Sequence, residues 1–418
     1  MPLGRVAAML SHFDVIVIGA GAAGLLAASR AAGRGRCTLL VEKNRKTGVK
    51  ILMSGGTRCN ITHATDRRGI VAAFGDQGSF LHSALAALGP DELLAMFHAE
   101  GVATKVEPGG KVFPTSDRAL DVLRALERML AASGAQLALD EAVIGVDPNA
   151  TGFHVRTNRR LLTAEKVIVT VGGQSYPGCG TTGDGYAWAK ELGHTIVPPR
   201  PALVPLLSPA AWVHELRGVT IPDVAVAMGE AAAAAVARRR GSFLFTHFGL
   251  SGPVVMDLSR VITERPHVAY WEATCDFLPA MNEAELASRL AREASASGKK
   301  AIVNILDQWA PRRLVEALMR LSRVPVERRF AELSRAERSA LAQALKSTAI
   351  PITGSLGFKK AEVTAGGVSL ADVDSRTMQS KRTPNLYLAG EILDLDGPIG
   401  GYNFQAAFST GWLAGESV

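Results

Sequence analysis

The sequence predicts an α/β fold: an open sheet begun by the first residues, left for a β-rich insertion and a helical segment, and completed by the last residues. Three observations carry this expectation. The run Asp14-Val-Ile-Val-Ile-Gly19-Ala-Gly21-Ala-Ala-Gly24, with Thr38-Leu-Leu-Val-Glu42 after it, reads as strand, glycine turn, helix and second strand. From residue 198 the texture changes, with Pro198, Pro199, Pro201 and Pro205 marking a crossover into short strands and turns. An apolar strand at 385–391 and a helix at 403–415 then return to the texture of the first unit.

The first unit, 13–44, carries chemistry. Gly19 permits a tight turn, Gly21 lets backbone approach a pyrophosphate, and Gly24 lets the helix pack on the strand. The helix start then offers free N–H groups and a positive dipole end to the phosphates. Glu42 is placed to accept hydrogen bonds from ribose hydroxyls. Gly19, Ala20, Gly21, Ala23, Gly24, Glu42 and Lys43 are therefore candidates for holding an adenine dinucleotide in a Rossmann-like domain. The motif alone leaves FAD and NAD(P) open.

The following elements are read in order. Residues 1–12 read as a short extension, with Met9 as an alternative start, and not as a signal peptide. Residues 80–100 and 117–133 have helical apolar spacing, and 102–112 reads as short strands around Pro108-Gly109-Gly110. A β-meander is expected at 136–139, 142–146, 153–157, 161–162 and 166–171. Residues 202–275 read as short strands, 282–346 as charged helices, and 354–367 as strand and turn. The domain boundaries that result are 13–197 and 363–418 for the nucleotide domain. The β-rich substrate domain takes 198–280 and 347–362, and the helical insertion 281–346.

Composition bounds the function. The chain has 418 residues, 47% hydrophobic, and no apolar run approaching a membrane span. The four cysteines, Cys37, Cys59, Cys179 and Cys275, include no CxxC pair, so a dithiol relay is excluded and a reducing cytoplasm fits. No His/Cys cluster has metal-ligand spacing. Net charge is +7. Arginines at 238–240 and across 312–338 interleave in the latter with glutamates, which reads as a solvated helical face. No recognition motif for nucleic acid accompanies them.

Four glycine-bearing turns stand far apart in sequence. They are Gly19–Gly24, the run Ser54-Gly55-Gly56-Thr57-Arg58-Cys59-Asn60, the run Gly172-Gly173-Gln174-Ser175-Tyr176, and Gly390-Glu391 with Gly400-Gly401-Tyr402-Asn403. A nicotinamide site needs one such turn, whereas an extended FAD needs several. The pattern recurs at Gly178-Cys179-Gly180-Thr181-Thr182-Gly183, just beyond the third run, but it opens no second βαβ unit for a separate NAD(P)H domain.

The runs KILMSGGTRCN, FPTSDRA, VGGQSYPGCGTTGDG, PALVPL, LFTHFGLSGP, AGGV and LYLAGEILDLDGPIGGYNFQAA resemble the bacterial NAD(P)/FAD-dependent oxidoreductases of the BaiN type. These include aminoacetone-oxidase-like and 3-dehydro-bile-acid-reductase-like flavoproteins. The resemblance covers roughly 13–415. It implies a Rossmann-like FAD-binding domain of the two-dinucleotide-binding-domain flavoprotein type, an inserted β-barrel-like domain, a helical subdomain and non-covalent FAD. It further implies that Ser54, Gly55, Gly56, Arg58, Cys59 and Asn60 run beside the cofactor. Val143 would meet the adenine, Gly172 and Gly173 the adenosine half, and Gly390 and Glu391 the ribityl chain. Gly401, Tyr402 and Asn403 would start a helix beneath the flavin's pyrimidine end. Thr57 departs from the family pattern, which has glycine there.

The expected activity is an FAD-dependent oxidoreductase with NAD(P)H as co-substrate, reducing an activated C=C or carbonyl compound through flavin N5. Candidates for catalysis are His247, Tyr176 and Tyr402. Arg58 could bind an acidic substrate group or a cofactor phosphate, the latter being favoured. The alternatives are an amine oxidase using O2, a flavin-containing RNA-interacting protein using the arginine-rich segments, and a flavin-binding scaffold without turnover. The partner is then a small-molecule substrate, not a membrane; the oligomeric state is left open.

Overall fold

The computed structural model describes residues 11–230, 234–297 and 299–418. Of the expected extension, residues 1–10 lie outside the described residues. Ser11 and His12 do not belong to an extension, because they already pair as the first rungs of a strand. The chain divides into two compact units, Met1–Pro201 with Glu362–Val418, and Ala202–Ala361.

The first unit opens with β1 (Ser11–Ile18), α1 (Ala22–Gly33) and β2 (Thr38–Val41). Then come α2 (Val49–Thr57), β3 (Thr62–His63), α3 (Arg67–Ala73), α4 (His82–Ala87) and α5 (Pro90–Ala99). The expected helical stretch 80–100 is thus divided. Gly89 is extended and Pro90 starts a new helix, where its missing N–H costs nothing. Strands β4 (Thr104–Val106) and β5 (Lys111–Pro114) pair antiparallel, and β3 joins them. Helix α6 (Ala119–Ser133) follows, then β6 (Gln136–Ala138), β7 (Val143–Asn149), β8 (Gly152–Thr157) and β9 (Leu161–Val169).

The meander comprises β7, β8 and β9 alone. β6 leaves it and pairs parallel with β2. The segments read as two strands, 161–162 and 166–171, form the single strand β9. Its first half pairs antiparallel with β8, and along its length it runs parallel to β1. The unit continues through α7 (Asp184–Glu191) and β10 (Ile196–Ala202).

The second unit contains β11 (Leu206–Leu207), α8 (Ala211–Glu215), β12 (Thr220–Glu230), β13 (Ala235–Thr246), β14 (Gly249–Ser251), α9 (Pro253–Glu264) and β15 (Trp271–Asp276). Four helices follow: α10 (Glu283–Ser297), α11 (Ile302–Leu306), α12 (Arg312–Leu321) and α13 (Arg335–Lys346). It ends in β16 (Thr348–Ile352) and β17 (Gly354–Ser355). The strand order is β16-β15-β12-β13-β14-β11-β17. The two edge strands are separated only by Thr353, so the sheet curls back on itself as a barrel does. One core, including Trp271, Phe243, Phe245 and Phe277 with Leu286, Leu314, Leu318 and Leu341, joins strands to helices.

The chain returns to the first unit with β18 (Val363–Val368), β19 (Leu386–Leu388) and α14 (Tyr402–Ser417). β19 pairs parallel with the second half of β9. Helix α14 lies close on α1. A Cβ at Gly411 or Gly415 would stand 2.3 or 2.4 Å from the carbonyl oxygens of Ala23 and Ala27. Only glycine allows that approach.

Candidate cofactor site

Register places the turns. Ile18 is level with Val41 and Val169, and Val169 with Leu388. Gly19, Glu42, Thr170 and Gly390 therefore emerge at one carboxyl edge, where open α/β sheets bind ligands.

The three glycines of the first turn have separate tasks. Gly19 has φ +99°, a left-handed conformation that favours glycine. A Cβ on Gly24 would stand 1.8 Å from the Gly19 carbonyl oxygen. A Cβ on Gly21 would meet nothing within 4 Å. Gly21 caps α1 without any side-chain hydrogen bond, so the first N–H groups of the helix are left without a cap. Ala20 and Ala23 are small and buried here. Glu42 is buried and accepts from Ala20 N at 2.7 Å and Asn44 N at 2.8 Å. Lys43 reaches the segment that leads from the third run into α7, bonding Thr182 at 2.8 Å and Asp184 at 2.5 Å.

The second run leaves its helix at Ser54, whose ψ is 151°, and Gly55, Gly56, Thr57 and Cys59 are left-handed. Ser54 Oγ donates back to Ile51 O at 2.8 Å. The Cys59 thiol is buried, and burial pushes it up to about 12. Arg58 lies over the Phe113 ring at 4.0 Å and donates to Glu107 at 2.6 Å and Asp117 at 3.4 Å. The bond to Glu107 is the main reason its protonated form is favoured. Its guanidinium is thus committed to carboxylates. Asn60 is 9% exposed, and its Oδ1 is buried without a partner. That oxygen lies 2.8 Å from where a Cβ of Gly401 would stand.

In the third run Gly172 has φ +74° and Gly173 packs on Thr364. Tyr176 is half-buried with φ +51°, and burial, followed by Glu362, pushes its phenol up. Val143 heads β7 opposite Thr157. In the fourth, Gly390 N donates to Thr410 Oγ1 at 3.0 Å, and Glu391 is held by Lys50, Ser175 and the Thr364 amide. Gly401 caps α14 with φ +95° and no side-chain bond. Asn403 closes the loop before it, accepting from Gly397 N at 2.8 Å and donating to Gly397 O at 2.9 Å. Tyr402 stacks on His63 at 4.5 Å between centroids.

The structure therefore brings all four turns together, with Asn60 against Gly401 and Gly390 against Ala23. His247 belongs to the second unit, exposed in the turn between β13 and β14 and edge-on to Phe248. Sequence reasoning missed Lys50, His63 and Tyr186. His63 Nδ1 is bonded to the Gly400 carbonyl oxygen at 3.0 Å, and the Tyr186 hydroxyl is buried without a partner beside Gly173. Lys50 lies in the stretch before Ser54, and its partner Glu391, 341 positions on, is what marks it out. Among the described residues, no group of His, Cys, Asp and Glu could hold a metal, and no helix is long and apolar enough to cross a membrane.

Residues 13–417 match the family described as HI0933-like protein Rossmann domain. The chain is 32% identical to the ribosomal RNA dihydrouridine synthase of Escherichia coli (strain K12), covering 98% of each. It is also 32% identical to the 3-dehydro-bile acid delta(4,6)-reductase of Clostridium scindens, covering 96% of this chain and 98% of that one. Among solved structures, the fold is similar to 3-ketosteroid-delta4-(5alpha)-dehydrogenase from Rhodococcus jostii, at 15% identity and a TM-score of 0.50, over 99% of this chain and 98% of that one. It is also similar to E. coli quinol fumarate reductase FrdA, at 16% identity and a TM-score of 0.52, over 98% of this chain and 70% of that one. The fold is a Rossmann-like FAD-binding fold, the protein is an enzyme of the oxidoreductase class, and the chain belongs to the HI0933-like Rossmann flavoprotein family.

Proposed function

We propose that the enzyme binds FAD along the carboxyl edge of its sheet and uses NADH or NADPH to reduce a C=C bond conjugated to a carbonyl. The observation that carries this reading is the open space at Gly21, before an uncapped helix start. A pyrophosphate fits there because the α1 N–H groups and dipole end are unspent. Each Glu42 carboxylate oxygen accepts one backbone N–H bond and keeps lone pairs for ribose hydroxyls. The Val143 backbone, with Gly172 and Gly173, takes the adenosine half.

At the far end, α14 offers uncapped N–H groups, and the orphaned Asn60 Oδ1 beside Gly401 offers an acceptor. Donor and acceptor side by side suit the imide edge of a flavin. Helix-start donors are worth up to about 2 kcal/mol toward negative charge when partly buried. FAD, when bound, supplies a two-electron carrier that exchanges hydride at N5. The chain binds it, orients it and excludes water. Saturating the C=C also takes a proton. The phenols of Tyr176 and Tyr402 are donors on this edge, and burial keeps that of Tyr176 protonated. Arg58, spent on Glu107 and Asp117, is left out of the phosphate set.

The reaction class rests on the names of the two relatives. Saturating a uracil ring and reducing a bile-acid dienone both remove a C=C conjugated to a carbonyl. The test is anaerobic mixing with NADH and with NADPH while following flavin absorbance, then adding a steroid enone or a uridine-containing RNA. Bleaching by one nucleotide and recovery with one acceptor is expected. Protein that keeps its flavin colour with both nucleotides contradicts the NAD(P)H-linked reading and leaves the oxidase.

A second reading, in which the C=C lies in a uracil of RNA, is favoured by charge. Residues 202–361 hold 21 Lys and Arg against 15 Asp and Glu, or +6 of the chain's +7. Arg238 and Arg239 on β13 and Arg329 are exposed, and so is Lys300, whose carbonyl accepts from Phe330 N beside Arg329. Such asymmetry suits a polyanion. RNA retention that weakens steeply with salt is expected. A flat response at low salt removes this reading and leaves the free enone.

A further inference from the structure

The ammonium of Lys50 stands where the third and fourth turns meet α2. Lys50 lies on α2, and its Nζ donates to Ser175 Oγ at 2.6 Å and to Glu391 Oε2 at 2.5 Å. Ser175 Oγ donates to Glu391 Oε1 at 2.6 Å, and Thr364 N donates to the same oxygen at 2.8 Å. Thr364 Oγ1 accepts from the backbone N–H groups of Gln174 and Ser175, at 2.8 and 3.0 Å. The ring is closed, and its members come from α2, the third turn, β18 and the residue after Gly390. Ser175 and Thr364 are fully buried, whereas the Lys50 and Glu391 side chains keep 26% and 19% exposure.

A mere fastening does not need opposite charges at this point. The neutral bonds of Ser175 and Thr364 already join the third turn to β18, and a partly buried ion pair gives back little stability after desolvation. Two of the three ammonium N–H groups are engaged by the chain, which leaves one to donate. Ser175 and Glu391 follow Gly172 and Gly390 at the carboxyl edge of the sheet, and Thr364 packs on Gly173.

We propose that Lys50 is a charge-setting, positioning residue of the cofactor site, and that its balance with Glu391 fixes the electron affinity of the bound flavin. The inference rests on the FAD reading above. A reduced flavin carries more negative charge than an oxidised one. An ammonium beside it favours the reduced state, and an unpaired carboxylate opposes it. Removing one partner therefore leaves the other's charge uncompensated, and the two removals act with opposite sign.

The test is an anaerobic redox titration of holoenzyme against a reference dye, reading the ratio of reduced to oxidised flavin at one fixed potential. Lys50→Met is expected to lower that ratio about tenfold, a shift of about 30 mV for a two-electron couple. Glu391→Gln is expected to raise it by a similar factor. The double variant should return close to the wild-type ratio, and Lys50→Arg should stay there. Single variants that leave the ratio unchanged, or move it in the same direction, overturn the proposal. If Lys50→Met purifies without flavin, the sign of Glu391→Gln and the behaviour of Lys50→Arg decide it. Wild-type protein that takes up no FAD at all removes the cofactor reading instead, and is distinguishable because no variant is then needed.

Discussion

Thr57 holds φ +70° at the unwound end of α2, a conformation that costs an L residue about 1–2 kcal/mol and a β-branched one at least as much. Its hydroxyl bonds only to the neighbouring Gly56 carbonyl oxygen, and the residue is exposed. Thr57→Gly should therefore stabilise the protein. The entropy of a glycine in the unfolded chain offsets roughly 0.4–1 kcal/mol of the gain. Denaturant unfolding should show a net increase of up to about 1 kcal/mol; a loss of stability would mean that Thr57 makes contacts of value in the folded state. The thiols allow a second check. Burial raises Cys59, Cys179 and Cys275, while Cys37 is exposed. One fast thiol per chain is expected with a disulfide reagent at pH 8, and three more only after denaturation. Two fast thiols in the folded protein would contradict the burial of one of those three. At this scale the sequence was legible where a residue type has a geometric task. Gly19, Gly21 and Gly24 have three different tasks that are legible in sequence, because each follows from the absence of a Cβ. Lys50 and His63 were not legible. Their partners, Glu391 and Gly400, lie more than three hundred positions away, and nothing local distinguishes them from solvated side chains.

Helices and strands were legible where periodicity and punctuation agree, as in β1, α1 and β2. The split at Gly89-Pro90 was written in those two residues but masked by the apolar spacing on either side. β9 was cut in two on paper because Thr163 and Glu165 interrupt its apolar run; the structure keeps it whole by giving it partners along its full length. α9 was missed among strands although Pro253 opens it and Val254, Val255, Leu258 and Ile262 share its buried face. The connection from α7 to β10 carries a titration. His194 is buried, its Nδ1 bonded to Ala189 O at 2.9 Å and its Nε2 to Ser380 Oγ at 2.8 Å. Ser380 Oγ already accepts two backbone N–H groups, so its proton is left for Nε2 and the ring is held neutral. Burial lowers the pKa of the folded ring. The unfolded chain then binds more protons below the ordinary His range, so stability is complete above about pH 6.5 and falls as pH drops through that value. Thermal unfolding between pH 7.5 and 5.5 should show this loss, and His194→Gln should flatten it. An equal slope in the variant would assign the loss to another group.

For the whole molecule, the main result is that a chain can close a site with segments from its two ends. β1 and β19 flank β9, so residues 19–24 and 390–403 meet although the second unit separates them. Parallel pairing makes this possible, since every strand of that set delivers its carboxyl end to one edge. The return of the chain was visible in sequence because the last strand and helix repeat the texture of the first. The curl of the second unit's sheet was implied by the family resemblance and not by its own strands, because short strands fix no register until their partners are known. Gly21 decides whether this edge is a cofactor cradle or a packed turn. Gly21 is extended, with φ −84°, and a Cβ there meets open space, so valine fits the fold. Its branches would fill the space assigned to the pyrophosphate. Gly21→Val should give folded protein with wild-type circular dichroism and cooperative unfolding that is colourless and takes up no added FAD. A folded Gly21→Val protein with stoichiometric FAD would contradict the account.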